Sequence, residues 1–375
     1  MAENLRIIIA GGGTGGHIFP AVAIGQALQR LAPGTELLFV GAIGKMEMEK
    51  VPKEGFEIVG LDIAGYDRGN ILKNLFLPFK LLKSYFQARG VLKSFKADAV
   101  VGVGGYASFP VLNAAQSMQI PTLIQEQNSY AGKSNKILGK KAKAVCVAYE
   151  HMDRFFSIDK LIMTGNPVRK NISHMNLSRV EGQAWLGLNS EKKTLLIVGG
   201  SLGAKTLNET IDAQLEEILA EEVQVIWQTG KPFYEQAKKR IEGLEDKVKV
   251  FDFISEMGHA YAAADVVISR AGALAIAELC IVAKPVIFVP FPFAAEDHQT
   301  SNAMALVTHN AAMMVRNSDA QLELVKKLKN LLHDEAMQEI MISALQKLAI
   351  TDADERIAKR VIEIAKKINE RTGTT

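Results

Sequence analysis

Short apolar runs rich in β-branched residues recur along the chain, separated by longer stretches in which apolar side chains return every three or four positions. In the first half the runs are "LRIIIA", "ELLFVG", "FEIVGL", "ADAVVGVG", "IPTLIQE" and "AKAVCVAY". Each predicts a strand, and the continuous apolar character of several of them suits parallel strands covered on both faces. After the first run, Ala21, Ile24, Leu28 and Leu31 fall on one face of a helix, which "PG" at 33 and 34 stops. The second half begins the same layout again with "KTLLIVGGSLGAKTLNETI", followed by "VQVIWQTG", "VKVFDFI", "ADVVISRAG" and "KPVIFVPF". The pattern predicts an α/β protein of two similar Rossmann-like domains in tandem. We place them at residues 1–166 and 167–375, joined near "TGNPVRKN", with the last helix a candidate to pack back on the first domain.

Composition narrows the class. The chain has 375 residues, 48% of them hydrophobic, and a formal net charge of only +3, so no electrostatic footprint for nucleic acid is present. Cys146 and Cys280 sit singly in "AVCVAY" and "AELCIVA", which argues for buried reduced thiols. No signal-type apolar segment and no membrane-length run is found, so a protein soluble in the cytoplasm is expected.

The chemistry gathers at four glycine turns, each following a predicted strand: "AGGGTGGHIFP" from 10, "GVGGYASFP" from 102, "GGSLGA" from 199 and "SRAGALAIAE" from 269. Backbone amides at such turns, with a helix dipole behind them, favour a diphosphate. Gly11, Gly13 and Gly16 satisfy GxGxxG. A dinucleotide site would also want an acid at the end of the next strand, but "TELLFV" runs into "GAIGK". A dehydrogenase is therefore disfavoured. "AGKS" and "GAKT" lack the glycines of a Walker loop, and the seven histidines show no metal spacing, so neither ATP hydrolysis nor a bound metal or other cofactor is expected. The "DAD" of "TDADERI" reads as helix capping.

Together, "GGGTGGHIFPA", "GVGGYASFP", "QEQNSYAGKSNK", "GNPVR", "GGSLGA" and "AGALAIAEL" with downstream "EDHQTSNA" resemble the MurG family of bacterial glycosyltransferases, in family order along essentially the whole chain. The resemblance implies a GT-B fold, with two Rossmann-like domains whose parallel sheets face a central cleft. It also implies inverting transfer of N-acetylglucosamine from UDP-N-acetylglucosamine to the C4 hydroxyl of the undecaprenyl-diphosphate-linked muramyl pentapeptide, at the cytoplasmic face of the plasma membrane. Carried over residue by residue, Ser201 would meet the donor diphosphate. Backbone around Ala273 and Leu274 would hold uracil, with Ala275, Ile276 and Ala277 leading to Glu278 on the ribose hydroxyls. Gln299 would bind sugar hydroxyls and Ile254 would flank the base. Thr14, Gly15, Gly16 and Asn128 would approach the donor sugar and its acceptor, with Arg169 adding a cation. Leu202, Ala271 and Thr300 depart from the family pattern, and no role is carried to them.

Such a displacement needs a base for the acceptor hydroxyl and charge stabilisation for the leaving diphosphate. His17, directly after the first glycine loop, is the natural base, and Glu126 beside Asn128 competes for the role. Between Asp67 and Asp98 there is no acid, yet Arg68, Lys73, Lys80, Lys83, Arg89, Lys93 and Lys96 accompany "NLFLPFKLLKSYF". On a helical wheel Leu75, Phe79, Leu82 and Phe86 form one stripe and Leu81, Tyr85 and Leu92 another. One stripe can face the core and the other an anionic leaflet, a peripheral attachment. Lys133, Lys136, Lys140, Lys141 and Lys143 would extend this basic patch. Two further readings stand beside this one: another UDP-sugar enzyme of the same fold, such as a lipid or natural-product glycosyltransferase or a UDP-N-acetylglucosamine epimerase, and a non-catalytic UDP-sugar sensor.

Overall fold

A computed structural model describes residues 4–63, 77–200 and 203–372. The chain divides into two compact units, Met1–Arg169 with Asp352–Thr375, and Lys170–Thr351.

The first unit is built on a seven-stranded sheet. Its strands are β1 (Arg6–Ala10), β2 (Glu36–Ala42), β3 (Ile58–Leu61), β4 (Ala99–Gly102), β5 (Thr122–Glu126), β6 (Ala144–Val147) and β7 (Leu161–Met163). Their spatial order is β3-β2-β1-β4-β5-β6-β7, and every pair is parallel. The "RIII" run explains why β1 is central, because it has apolar side chains for both faces. Ile7 and Ile9 pack under helix α1 (Gly15–Leu31) and the Ala353–Thr372 helix, in a core that includes Ile24, Leu28, Ile357 and Val361. Ile8 and Ala10 face the opposite core, with Leu92 of α3 (Leu77–Phe95) and Leu112 of α4 (Ser108–Ser117). Helix α2 (Glu47–Lys53) lies between β2 and β3, and α5 (Lys133–Gly139) between β5 and β6. Each fully buried isoleucine contributes roughly 1.5–3 kcal/mol by leaving water.

The final helix completes this unit after the chain has left it. Asp354 pairs with Arg30 of α1 at 2.8 Å, and Asp352 pairs with Arg356 at 2.8 Å, so both acids of "DAD" are held in ion pairs.

The second unit has a six-stranded sheet: β8 (Thr194–Val198), β9 (Gln224–Gln228), β10 (Val248–Phe251), β11 (Val266–Ser269), β12 (Val286–Phe288) and β13 (Met313–Met314). The order β10-β9-β8-β11-β12-β13 is again all parallel, and it repeats the order of the first six strands of the other sheet. Its core is centred on Trp227, fully buried with its indole N–H donated to Asn208 Oδ1 at 3.1 Å. Cys146 and Cys280 are free and buried, and burial pushes both thiols up to about 12. Among the described residues no helix is long and apolar enough to cross a membrane.

Candidate active site

Open parallel sheets bind ligands outside the carboxyl ends of the strands, where the strand order reverses. In the first unit that point lies between β1 and β4, and a glycine turn follows each. The turns meet backbone to backbone: Gly12 N–H donates to Gly104 O at 3.2 Å. A Cβ on Gly105 would lie 2.1 Å from Gly12 O, and Gly105 takes φ +86°, so only glycine fits there.

Helix α1 starts at this turn with Thr14 as N-cap. Its side chain makes no capping bond and the first turn carries no acid, while the His17 N–H is donated to Thr14 O at 3.1 Å, so the positive end of the helix dipole meets the turn with no acid of the helix's own. His17, half-buried, has Nδ1 3.0 Å from Gly12 O and 3.3 Å from Thr14 Oγ1. A carbonyl only accepts, so Nδ1 carries the proton and Nε2 is the basic nitrogen of the neutral ring. Gly104 stands between the imidazole and the end of β5: a Cβ there would be 2.8 Å from His17 Nε2 and 3.7 Å from Gln127 Oε1. Thr14 and Gly16 are exposed and Gly15 is half-buried.

Glu126, the other candidate base, is 2% exposed at the end of β5. Its Oε1 accepts from the Asn128 N–H at 3.1 Å and from Asn128 Nδ2 at 3.4 Å. Oε2 accepts from the Gly132 N–H at 3.1 Å and from Asn135 Nδ2 at 2.8 Å. Burial raises its pKa, and these bonds oppose the rise. The carboxyl therefore holds the 128–135 loop in place. Arg169 lies over the ring of Phe19 in α1, with its guanidinium carbon 5.1 Å from the centroid.

In the second unit the reversal lies between β8 and β11. The turn after β8 contains Gly199 and Gly200, and Ser201 and Leu202 lie outside the described residues. Gly203 follows with φ +77°, where a Cβ would meet Thr229 O at 2.5 Å. After β11, Gly272 caps the Ala273–Val282 helix without a side-chain bond and no acid stands in its first turn. Ala273, Leu274, Ala275 and Ala277 are half-buried there, while Ile276 and Glu278 are buried. Glu278 Oε2 accepts from the Tyr261 hydroxyl at 3.1 Å. Gln299 Oε1 accepts the Phe291 N–H at 2.9 Å. The Ile254 side chain is 2% exposed and its N–H is donated to Gln228 Oε1 at 2.9 Å, so this residue offers a ligand little side-chain surface.

Two charged residues that the sequence reading passed over line these turns. Arg270 donates to Val289 O, Pro290 O and Asn317 Oδ1, and burial pushes it down to about 10. It walls a cavity of ≈ 580 Å³ beside the β8 turn, together with Gly203, Thr206 and Phe293. Glu47, 1% exposed, accepts the Gly13 N–H at 2.7 Å and the Ala42 N–H at 3.0 Å. An acid a few residues past the second strand was its only signal. Among the described residues no group of three or more His, Cys, Asp and Glu is placed to hold a metal ion.

Comparison with known proteins matches residues 7–147 to the glycosyltransferase family 28 N-terminal domain and residues 194–357 to the family 28 C-terminal domain. A protein of Phocaeicola vulgatus is 51% identical over 375 residues, 100% of both chains, and one of Bacteroides thetaiotaomicron is 50% identical over 372 residues, 98% of this chain and 100% of that one. Both are named as UDP-N-acetylglucosamine:N-acetylmuramyl-(pentapeptide) pyrophosphoryl-undecaprenol N-acetylglucosamine transferases. The crystal structure of Acinetobacter baumannii MurG matches with a TM-score of 0.75 at 30% identity, covering 96% of this chain and 99% of that one. The fold is accordingly the GT-B arrangement of two Rossmann-like domains. On these matches the chain belongs to glycosyltransferase family 28 and, within it, to the MurG family.

Proposed function

We propose that this chain is an inverting hexosyltransferase that moves N-acetylglucosamine from UDP-N-acetylglucosamine to the C4 hydroxyl of the undecaprenyl-diphosphate-linked muramyl pentapeptide, a step of peptidoglycan synthesis. The observation that carries the reading is the full-length match to transferases of that name at about half identity, with glycine turns at both points of strand reversal.

In this reading the second unit holds the donor. The turn at Ala273, Leu274 and Ala275, continued by Ile276 and Ala277, takes the uracil edge, Glu278 accepts from the ribose, and Gln299 meets sugar hydroxyls. Ile254 supports the turn beside the base through its backbone, and Ser201 meets the diphosphate. The first unit presents the acceptor hydroxyl to His17, with Thr14, Gly15, Gly16, Asn128 and Arg169 around it. His17 Nε2 takes the C4 hydroxyl proton while that oxygen forms its bond to the anomeric carbon. The bond from that carbon to the diphosphate oxygen breaks, and UDP leaves with the electron pair. Preorganised amides meet the departing charge without reorganising, which makes such sites effective. Glu126 is assigned to holding the loop rather than to taking the proton.

Helix α3 supports attachment to the membrane that carries the acceptor. Phe79, Leu82 and Phe86 are 72%, 57% and 62% exposed, in one stripe, while Ala88 and Leu92 face the core. Lys80 and Lys93 are exposed on the same helix, and Lys83 pairs with Asp62 at 2.6 Å. Leu75, Arg68 and Lys73 of the expected patch lie outside the described residues. An apolar stripe with basic neighbours suits the headgroup boundary of an anionic leaflet.

The direct test is transfer by the purified chain from UDP-N-acetylglucosamine to the lipid-linked muramyl pentapeptide. A disaccharide product with inverted anomeric configuration is expected. Absence of product, or retained configuration, would overturn the reading.

A further inference from the structure

The glycine loop and its histidine are joined to a buried carboxylate by a single peptide group. Gly12 C=O and Gly13 N–H belong to one planar amide, so whatever fixes one fixes the other. The carbonyl end accepts from His17 Nδ1 at 3.0 Å, and the N–H end is donated to Glu47 Oε2 at 2.7 Å. Glu47 has its other oxygen on the Ala42 N–H at 3.0 Å, which anchors the carboxylate to the end of β2. We propose that Glu47 is a positioning residue for His17, acting through the Gly12–Gly13 peptide.

Three observations carry the assignment. First, the carboxylate is 1% exposed and is spent on two backbone amides, one in the loop and one in the sheet, so it belongs to the architecture of the turn. Second, the chain has made room for it: a Cβ on Gly12 would lie 2.2 Å from Glu47 Cδ, and one on Gly41 would lie 2.5 Å from Glu47 Cγ. A side chain at either glycine would collide with Glu47 in the place it occupies. Third, the chemistry runs in one direction. A carboxylate on the N–H polarises the amide, and a polarised carbonyl is a stronger acceptor for Nδ1–H. That holds the tautomer in which Nε2 is basic and fixes the ring plane, the task a carboxylate performs directly in hydrolytic triads.

Other titratable groups around the loop stand in different relations to it. Tyr106 lies against Gly13, Lys45 is 5.6 Å from the Tyr106 ring centroid, Arg169 lies over Phe19, and Glu126 is bonded into the 128–135 loop.

The proposal rests on the reading of His17 as base, and its test separates the two. Ring 15N shifts of His17 in the unaltered chain near pH 8 should show a protonated Nδ1 and an unprotonated Nε2. In Glu47→Gln, which keeps the shape but turns an NH₂ group toward one of the two N–H donors, the tautomers should mix. The kcat of that variant should fall about tenfold or more, short of the ~10²- to 10⁴-fold loss expected on removing the base itself, with UDP affinity unchanged. An Nε2-protonated ring in the unaltered chain overturns the relay even if the variant does not fold, and so does a folded variant with unchanged shifts and kcat. If His17→Ala retains full transfer, the base assignment falls, while the 15N comparison still decides whether Glu47 holds the ring.

Discussion

The two units repeat one topology and differ in what lies beneath their glycine turns. Both sheets reverse strand order at the same place, and both present a glycine turn on either side of it. In the first unit the ground beneath is ionisable: His17 sits on the loop, Glu47 holds the loop amide, and Glu126 closes the neighbouring loop. In the second, the helices Lys205–Ala213 and Ala273–Val282 start, as α1 does, with no side-chain cap and no acid in the first turn, and Glu278, one turn further on, accepts from the Tyr261 hydroxyl. A second anion about 4 Å from a carboxylate is disfavoured by about 4 kcal/mol at an effective dielectric of about 20. On the function proposed above, the first half serves proton transfer and the second holds the anionic nucleotide.

The sharpest way to break this division is a pair of substitutions read on two scales. His17→Ala should lower kcat by about 10²- to 10⁴-fold and leave UDP affinity intact. Glu278→Ala should do the reverse, weakening UDP by about tenfold or more, as the loss of a hydrogen bond to a charged group implies. Calorimetry with UDP beside the transfer assay checks both, and an equal loss of UDP affinity in the two variants would erase the distinction. Next in size is Phe86→Ser on the exposed stripe of α3. Losing an inserted aromatic ring should reduce partition to anionic vesicles by about tenfold while UDP binding is unchanged. Unaltered sedimentation with vesicles would remove α3 from the membrane contact.

The smallest effect concerns Glu126. Burial raises its pKa, so the folded chain keeps this proton to higher pH than the unfolded chain does. Its contribution to stability is therefore fully present below 4.5, the ordinary value, and is lost as pH rises through the folded value. Thermal midpoints measured from about pH 5 to about pH 8 should decline less in Glu126→Gln than in the parent. Equal slopes would mean that the carboxyl is ionised throughout.

Much of this was legible in the sequence because it is local. The strand runs, the glycine turns and the helices behind them follow from periodicity and from residues that tolerate positive φ. What escaped depends on contacts across the fold. A dinucleotide ribose would need an acid at the end of the second strand. The acid is Glu47, five residues past Ala42, and its two oxygens are held by the Gly13 and Ala42 amides. Nothing in "GKMEMEK" says which glutamate turns inward; the space left by Gly12 and Gly41 decides it. Glu126 looked like a competing base because only its neighbours in sequence were visible, and the bonds from Gly132 and Asn135 appear once the loop closes over it. On α3 the two stripes were readable, but only packing against α4 told which was covered.

The return of the last helix to the first unit also bears on how the chain is made. Ile357 and Val361 complete the same core as Ile7 and Ile9, and Asp354 closes on Arg30. As the polypeptide leaves the ribosome, its N-terminal sheet must wait with one face covered only by α1 until the Ala353–Thr372 helix has emerged. Residues 170–351 meet no such delay. The half read here as the base-bearing one is thus the last to be finished in biosynthesis, and its exposed isoleucines are what a chaperone would meet first.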